Sequence, residues 1–182
     1  MEYLDIVDEQ GQPTGEIVSR ILAHTKGIRH RTAHIWIVRR ENEHFQVLMQ
    51  KRAMSKDSFP GKYDTSSAGH IQAGDEPLAS GLRELAEELG IHAKPEDLEF
   101  AGCIHGNFAE EFHGKIFRDN EIAFVYIYQQ PVDIETLVLQ KEEVESVRWF
   151  DLEETYRNCR NRNTQFCAPV PGLEVVRQYL YS

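Results

Sequence analysis

The stretch SSAGHIQAGDEPLASGLRELAEELGI, Ser66–Ile91, decides how this chain is read. Small residues and a glycine lead into Asp75, Glu76 and Pro77, after which Leu78, Leu82, Leu85 and Leu89 recur at helical spacing. Pro77 suits a first helical turn, where its missing N–H is no loss, and Gly90 is a natural stop. Asp75 or Glu76 can cap the helix or compensate its N-terminal dipole. Gly81 costs roughly 1 kcal/mol relative to alanine inside a helix, which points to close packing or a close approach of backbone to a ligand. On the side away from the leucines, Glu84 neighbours both Glu87 and Glu88, because residues three and four apart share a helix face. Three carboxylates there repel one another unless a cation neutralises them. Hard divalent ions such as Mg2+ or Mn2+ take carboxylate oxygens and keep water and substrate phosphate in their shell. Arg83, four residues before Glu87, is placed to hold that carboxylate by a bidentate pair. A bare ELAEE would read more readily as a solvated, salt-bridged helix face.

The surrounding spacing separates those two readings. Gly69, Asp75, Arg83-Glu84, Glu87-Glu88, Gly90 and Ile91 stand at fixed offsets, so that residues 69–91 resemble the Nudix box, GX5EX7REUXEEXGU, with U a bulky aliphatic. The one departure is Asp75 where the family has its first Glu, with Glu76 adjoining it. That puts the loop geometry in question rather than the REUXEE ligands. The resemblance implies an α/β fold, an α/β/α sandwich with a mixed β-sheet, whose loop–helix–loop holds Mg2+ or Mn2+. It implies hydrolysis of a diphosphate linked to some moiety X, by water attack at phosphorus. Carried over by position, Glu84, Glu87 and Glu88 are metal ligands, Glu84 or Glu88 also helps activate water, and Arg83 is the orienting arginine. The physics agrees, because a divalent ion neutralises the diphosphate, polarises P–O bonds and lowers the pKa of bound water.

Outside this segment the composition is ordinary. At 182 residues one domain is expected, 1–182, with a Nudix core over 29–173. Hydrophobic residues make up 41% and charged ones 27%, which suits a packed globule. Thirty acidic against twenty basic residues leave a net charge of −10, which argues against nucleic acid or an anionic membrane as partner. No apolar run approaches the roughly 18 residues that span a bilayer. Cys103, Cys159 and Cys167 are scattered without CxxC spacing, so reduced thiols and a cytoplasmic location are expected.

Along the chain, Tyr3–Val7 reads as a strand, residues 8–15 as a turn, and residues 15–23 as extended. Residues 33–39 and 46–51 read as paired strands, and 55–63 as a loop around Pro60-Gly61. Residues 65–72 and 98–105 are further strands, and 107–118 an aromatic-containing polar loop. Residues 121–128, EIAFVYIY, are apolar on both faces and therefore predict a central strand. Strand 146–150 and helices over 152–159 and 172–181 complete a mixed sheet packed between helices.

The resemblance extends beyond the box. Phe59-Pro60-Gly61-Lys62-Tyr63, then Ser67-Ala68-Gly69-His70, resemble type I isopentenyl-diphosphate isomerases, a Nudix-fold branch. His24 and His30-Arg31 resemble that branch's N-terminal histidines, and Asp119-Asn120-Glu121 its metal and catalytic element. The branch requires a proton-transferring cysteine where this chain has Ala68, which has no titratable group. An intact REUXEE without that cysteine favours hydrolysis over isomerisation. A third reading, a non-catalytic nucleotide-sensing module, would predict erosion of REUXEE.

Several residues outside the box carry open roles. Glu121 is either a further ligand or base, or a plain strand-end carboxylate. His70 is a metal ligand or a locally bonded loop histidine. Arg52, and Arg29 and Arg31 in the basic run HTKGIRHR, are candidate contacts to the diphosphate substrate or its far end. Phe108, Phe112 and Phe117 either stack a base or tuck a loop onto the core. The N-terminal strands and the last helix either complete the monomer or form a homodimer contact. The partner implied is a small-molecule diphosphate, whose X the box does not specify.

Overall fold

Alternation along the segment His30–Glu41 builds two cores at once. Trp36 and Val38 point to one side of the sheet and Ile35 and Ile37 to the other, as the two-residue period of a strand requires. The computed structural model describes residues 1–182. Its elements in chain order are β1 (Tyr3–Val7), β2 (Pro13–Ser19), α1 (Arg20–Lys26), β3 (His30–Glu41), β4 (His44–Arg52), β5 (Tyr63–Asp64), β6 (Ser67–His70) and α2 (Pro77–Leu89). They continue with β7 (Leu98–Phe112), β8 (Lys115–Tyr128), β9 (Val144–Asp151), α3 (Leu152–Arg160) and α4 (Val170–Tyr181).

Seven strands form one mixed sheet, ordered β5-β4-β3-β8-β7, with β6 paired to β3 and β9 to β4; β1 and β2 make a separate hairpin. The pairing of β3 with β8 is parallel, from His30↔Glu121 to Ile37↔Tyr128, and it places β8 centrally as its apolar run predicts. Leu85 and Leu89 of α2 pack with Ile35, Ile37 and Leu48 on one face. On the other face, Leu152 and Tyr156 of α3 and Leu173 and Val176 of α4 pack with Trp36, Met49 and Val125. The result is the α/β/α sandwich expected from the sequence. Gly81 lets α2 approach the sheet closely, since a Cβ there would sit 3.5 Å from Ile35 and 3.6 Å from Leu98.

Midway along, β3 changes partner. Thr32–Ile35 pair with β6, whereas Val38–Glu41 pair with β4. Ser66 fills the fork, its hydroxyl accepting from the Ile37 N–H at 2.8 Å and donating to the Leu48 carbonyl. This opening between half-sheets is where a cleft forms.

Two expectations are corrected. Residues 15–23 are not all extended: β2 ends at Ser19, whose hydroxyl caps α1 by accepting from Leu22 N–H, and left-handed Gly27 ends that helix. Residues 107–118 are not a loop. They form the outer part of a hairpin in which Phe112↔Lys115 is the last pair and His113 and Gly114, both at positive φ, make the turn. Positive φ at both central residues is the geometry of a type I′ hairpin turn. Only residues from Glu121 onward on β8 pair with β3, so the outer hairpin stands clear of the sheet as a two-stranded arm.

Candidate active site

A cleft of about 460 Å3 lies at the fork, walled by α2, β6, the arm, the 52–65 segment and α1. On α2, Pro77 occupies the first turn as expected, but the N-cap Glu76 makes no side-chain cap and Asp75 does other work. The Arg83 guanidinium donates to Asp75 Oδ2 at 2.7 Å, to the His70 carbonyl at 3.2 Å and to Glu84 Oε1 at 3.5 Å. Its bidentate pairing with Glu87 is thereby corrected. Arg83 reaches toward the helix N-terminus, as helical side chains do, and ties the loop of the box to its helix. Asp75, at the position where the sequence departs from the family pattern, meets that arginine directly.

Glu84, Glu87 and Glu88 all line the cleft. Glu88 is buried and its Oε2 accepts from Gln50 Nε2 at 2.7 Å; Glu87 is exposed. Burial, the nearby Glu84 charge adding to it, pushes the Glu88 carboxyl up to about 8. Burial likewise raises Glu84 to about 7, against the opposing pull of Arg83. Gly69 is required by the same group, because a Cβ there would lie 2.1 Å from the Glu84 carboxyl carbon. Buried, under-compensated carboxylates in a glycine cradle fit a hard divalent cation by charge and donor type.

A second set of donors converges across the cleft. His24, His30 and His70 bring ring nitrogens within 4.8 Å of one another, and a ring nitrogen of His30 lies equally close to carboxylate oxygens of Asp119 and Glu121. His24 Nε2 and His70 Nε2 are 3.0 Å apart, and His30 Nε2 lies 3.7 Å from Asp119 Oδ1. Neither of the latter two buried atoms has a hydrogen-bond partner. Burial, aided by the neighbouring His30, lowers His24 to about 4, and burial also depresses His30 and His70. Neutral imidazole is the form that binds metal. Burial and the charge of Glu121 raise Asp119 to about 8, whereas Glu121 is held low despite burial by its contact with His34 at 3.3 Å. His70 stands on β6, so it is a strand residue rather than a loop one.

Strand parity sorts the basic candidates. His30, Thr32 and His34 share one face of β3, and Thr32 and His34 line the cleft. Arg31 has the opposite parity. It is buried against Asp5 Oδ2 at 3.1 Å and the Asp75 carbonyl at 3.2 Å. Neither Arg29 nor Arg31 lines the cleft, which corrects their reading as substrate contacts; Arg31 instead fastens the N-terminal hairpin to the box loop. Arg52 does line it, bonded to Asp64 at 3.1 Å and to Ser58. Two cations that the sequence did not single out, Arg20 and Lys56, also reach it. Nothing local marks Arg20, because α1 reads as extended chain. Gln50 was also missed, although a polar residue in phase with Leu48 on an apolar strand was a usable signal. Cys167, remote in sequence from Ala68, lies in the same cleft; burial keeps its thiol protonated. All three cysteines are free.

The α/β/α sandwich carrying a glycine-cradled carboxylate helix is a Nudix-type fold. Residues 28–166 match the NUDIX domain. An uncharacterized Nudix hydrolase of Clostridium acetobutylicum is 42% identical over 161 residues, 88% of this chain and 75% of that protein. Nudix hydrolase 3 of Arabidopsis thaliana is 39% identical over 92% of this chain, which spans only 21% of that longer protein. Among solved structures, DR0079 from Deinococcus radiodurans superposes with a TM-score of 0.68 at 18% identity, covering 98% of this chain and 99% of that one. The NUDIX domain of Shewanella oneidensis NrtR, complexed with ADP ribose, gives 0.58 at 16%, over 82% and 87%. The chain belongs to the Nudix hydrolase family, as a pyrophosphohydrolase. No helix is long and apolar enough to cross a membrane.

Proposed function

We propose that this enzyme cleaves the diphosphate linkage of a small molecule, a nucleoside diphosphate linked to X or a related compound, by attack of water at phosphorus. The observation that carries the reading is the convergence of Glu84, Glu87 and Glu88 on the cleft, with Glu88 buried and held by Gln50. These three would hold Mg2+ or Mn2+, which when bound neutralises phosphate charge and polarises the P–O bond. Arg83 fixes the box loop and Glu84; Arg52, Lys56 and Arg20 supply positive charge to the phosphates from the facing walls. Glu121, kept ionised by His34, is the proton acceptor best placed on the β8 side, and Glu88 is its counterpart on α2. The second donor set, His24, His30, His70 and Asp119 with Glu121, would suit an ion that takes imidazole nitrogen beside carboxylate oxygen, such as Zn2+.

That histidine set also favours a second reading, isomerisation of a C5 diphosphate, against which stands Ala68 at the wall where a titratable group is required. The purified chain with Mg2+ or Mn2+ should be offered nucleoside diphosphates, diphosphate sugars, dinucleotides and isopentenyl diphosphate, with products identified. Hydrolysis that Glu88→Gln reduces by 100-fold or more supports the first reading. Isomerised product without phosphate release would install the second. Tight binding with no turnover would make the protein a sensor.

A further inference from the structure

We propose that His113, at the tip of the two-stranded arm, is a positioning residue that pins the loop of residues 53–61 and so presents Lys56 to the diphosphate. The inference rests on the diphosphate reading and names what fixes one of its cations.

The loop's lack of a core is the first observation. None of residues 54–61 is buried, and Met54 is exposed. Its ends are closed on themselves, with Arg52 N–H donating to the Lys62 carbonyl at 2.9 Å and Gly61 N–H to the Arg52 carbonyl at 3.0 Å. A loop with closed ends and few buried contacts belongs to the least stable part of a fold, so its polar ties decide where it sits. Lys56 lies within it and lines the cleft. The Lys56 ammonium pairs with Glu143, and Ser55 Oγ donates to the Glu142 carbonyl at 3.3 Å. Those ties join the loop to the residues just before β9.

The second observation is a tie to a different element, the arm. His113 Nε2 lies 2.9 Å from the Lys56 carbonyl, and because a carbonyl only accepts, the imidazole N–H donates. Phe112 adds an edge-on contact with Phe59 at 4.7 Å. The arm can bear on the loop because it is itself fixed. Its ladder runs out to Phe112↔Lys115, Arg118 donates to the Thr25 carbonyl at 3.1 Å, and Phe117 stacks on His24 at 4.2 Å. His113 holds a φ of 51°, a conformation that histidine tolerates better than most residues. The main chain of Lys56 is thus held by the arm and its side chain by Glu143. That leaves an ammonium at the cleft wall which a phosphate can take over from the carboxylate.

The test uses the full chain with Mg2+ and methylenediphosphonate as the probe. Lys56→Ala should weaken binding by at least about 10-fold, the scale of a lost hydrogen bond to a charged group, and His113→Ala by about 3- to 10-fold. His113→Gln places an amide nitrogen where Nε2 stands and should restore affinity. His113→Asn suits the turn but its shorter amide does not reach Lys56, so it should not. In a Lys56→Ala background, His113→Ala should cause no further loss, a result that general damage to the fold would not give. Amide exchange over residues 54–61 should quicken in His113→Ala and His113→Asn and return to the wild-type rate in His113→Gln. Equal behaviour of the Asn and Gln variants, additive losses in the double variant, or unchanged affinity in His113→Ala would overturn the proposal. Failure of the wild type to bind methylenediphosphonate would overturn the diphosphate reading with it, whereas binding indifferent to His113 overturns this inference alone.

Discussion

Gln50 Nε2 donates to Glu88 Oε2 at 2.7 Å, and both side chains are buried. A neutral amide thereby orients a carboxylate that burial disfavours in its charged form. Groups that orient metal ligands in this way typically contribute 10–100-fold to affinity or activity. Gln50→Leu should weaken Mn2+ binding and lower kcat by about that range, with little loss of helix content by circular dichroism. Unchanged Mn2+ affinity would show that Gln50 only fills space.

Glu88 titrates near 8 when folded and near 4.5 as a free side chain. The folded state therefore keeps a proton that the unfolded chain releases, and this group's contribution to stability falls as pH rises from about 4.5 to about 8. In metal-free protein, wild type should lose stability relative to Glu88→Gln across that window, and saturating Mg2+ should flatten the wild-type slope. Urea titrations of both proteins from pH 5 to 8 would reveal it; parallel profiles would contradict it.

Gly69→Ala drives a methyl into the space of the Glu84 carboxylate. Because that group is the end of a flexible side chain, it can swing away. Stability should change by less than about 1 kcal/mol, while divalent-ion affinity falls 10-fold or more. A large drop in melting temperature would mean that backbone, not the carboxylate, gives way.

Arg31 and Asp5 form a pair whose side chains are 8% and 11% exposed. Removing one partner of a buried pair strands the other, at about 3–5 kcal/mol. Arg31→Ala should therefore lower the melting temperature markedly and expose residues 1–27 to proteolysis, whereas Arg29→Ala should do neither. If both variants behave alike, the fastening role assigned to Arg31 is wrong.

What could be read from the sequence followed from how local its physics is. The carboxylates of α2 lie within five positions of one another, so helical period and metal chemistry together located them. The apolar run of β8 declared its central place because both of its faces are covered. Arg31 was misread because its partner lies 26 positions away, although its phase with Ile35 and Ile37 already pointed it off the cleft. Arg20 and Lys56 depend on where a short helix and a loop settle, which no local pattern specifies. The arm reads as a loop because its polar and aromatic residues have no core to face, although His113-Gly114, both at positive φ, is a hairpin turn.

The hairpin of β1 and β2 brings Glu2 to the rim of the cleft beside Arg20, while Met1 is 92% exposed. An affinity handle joined ahead of Met1 would hang one residue from the substrate entrance and could mimic an inhibitor. Purification and immobilisation are better attached after Ser182, at the exposed end of α4, so that kinetic comparisons report the enzyme and not its tether.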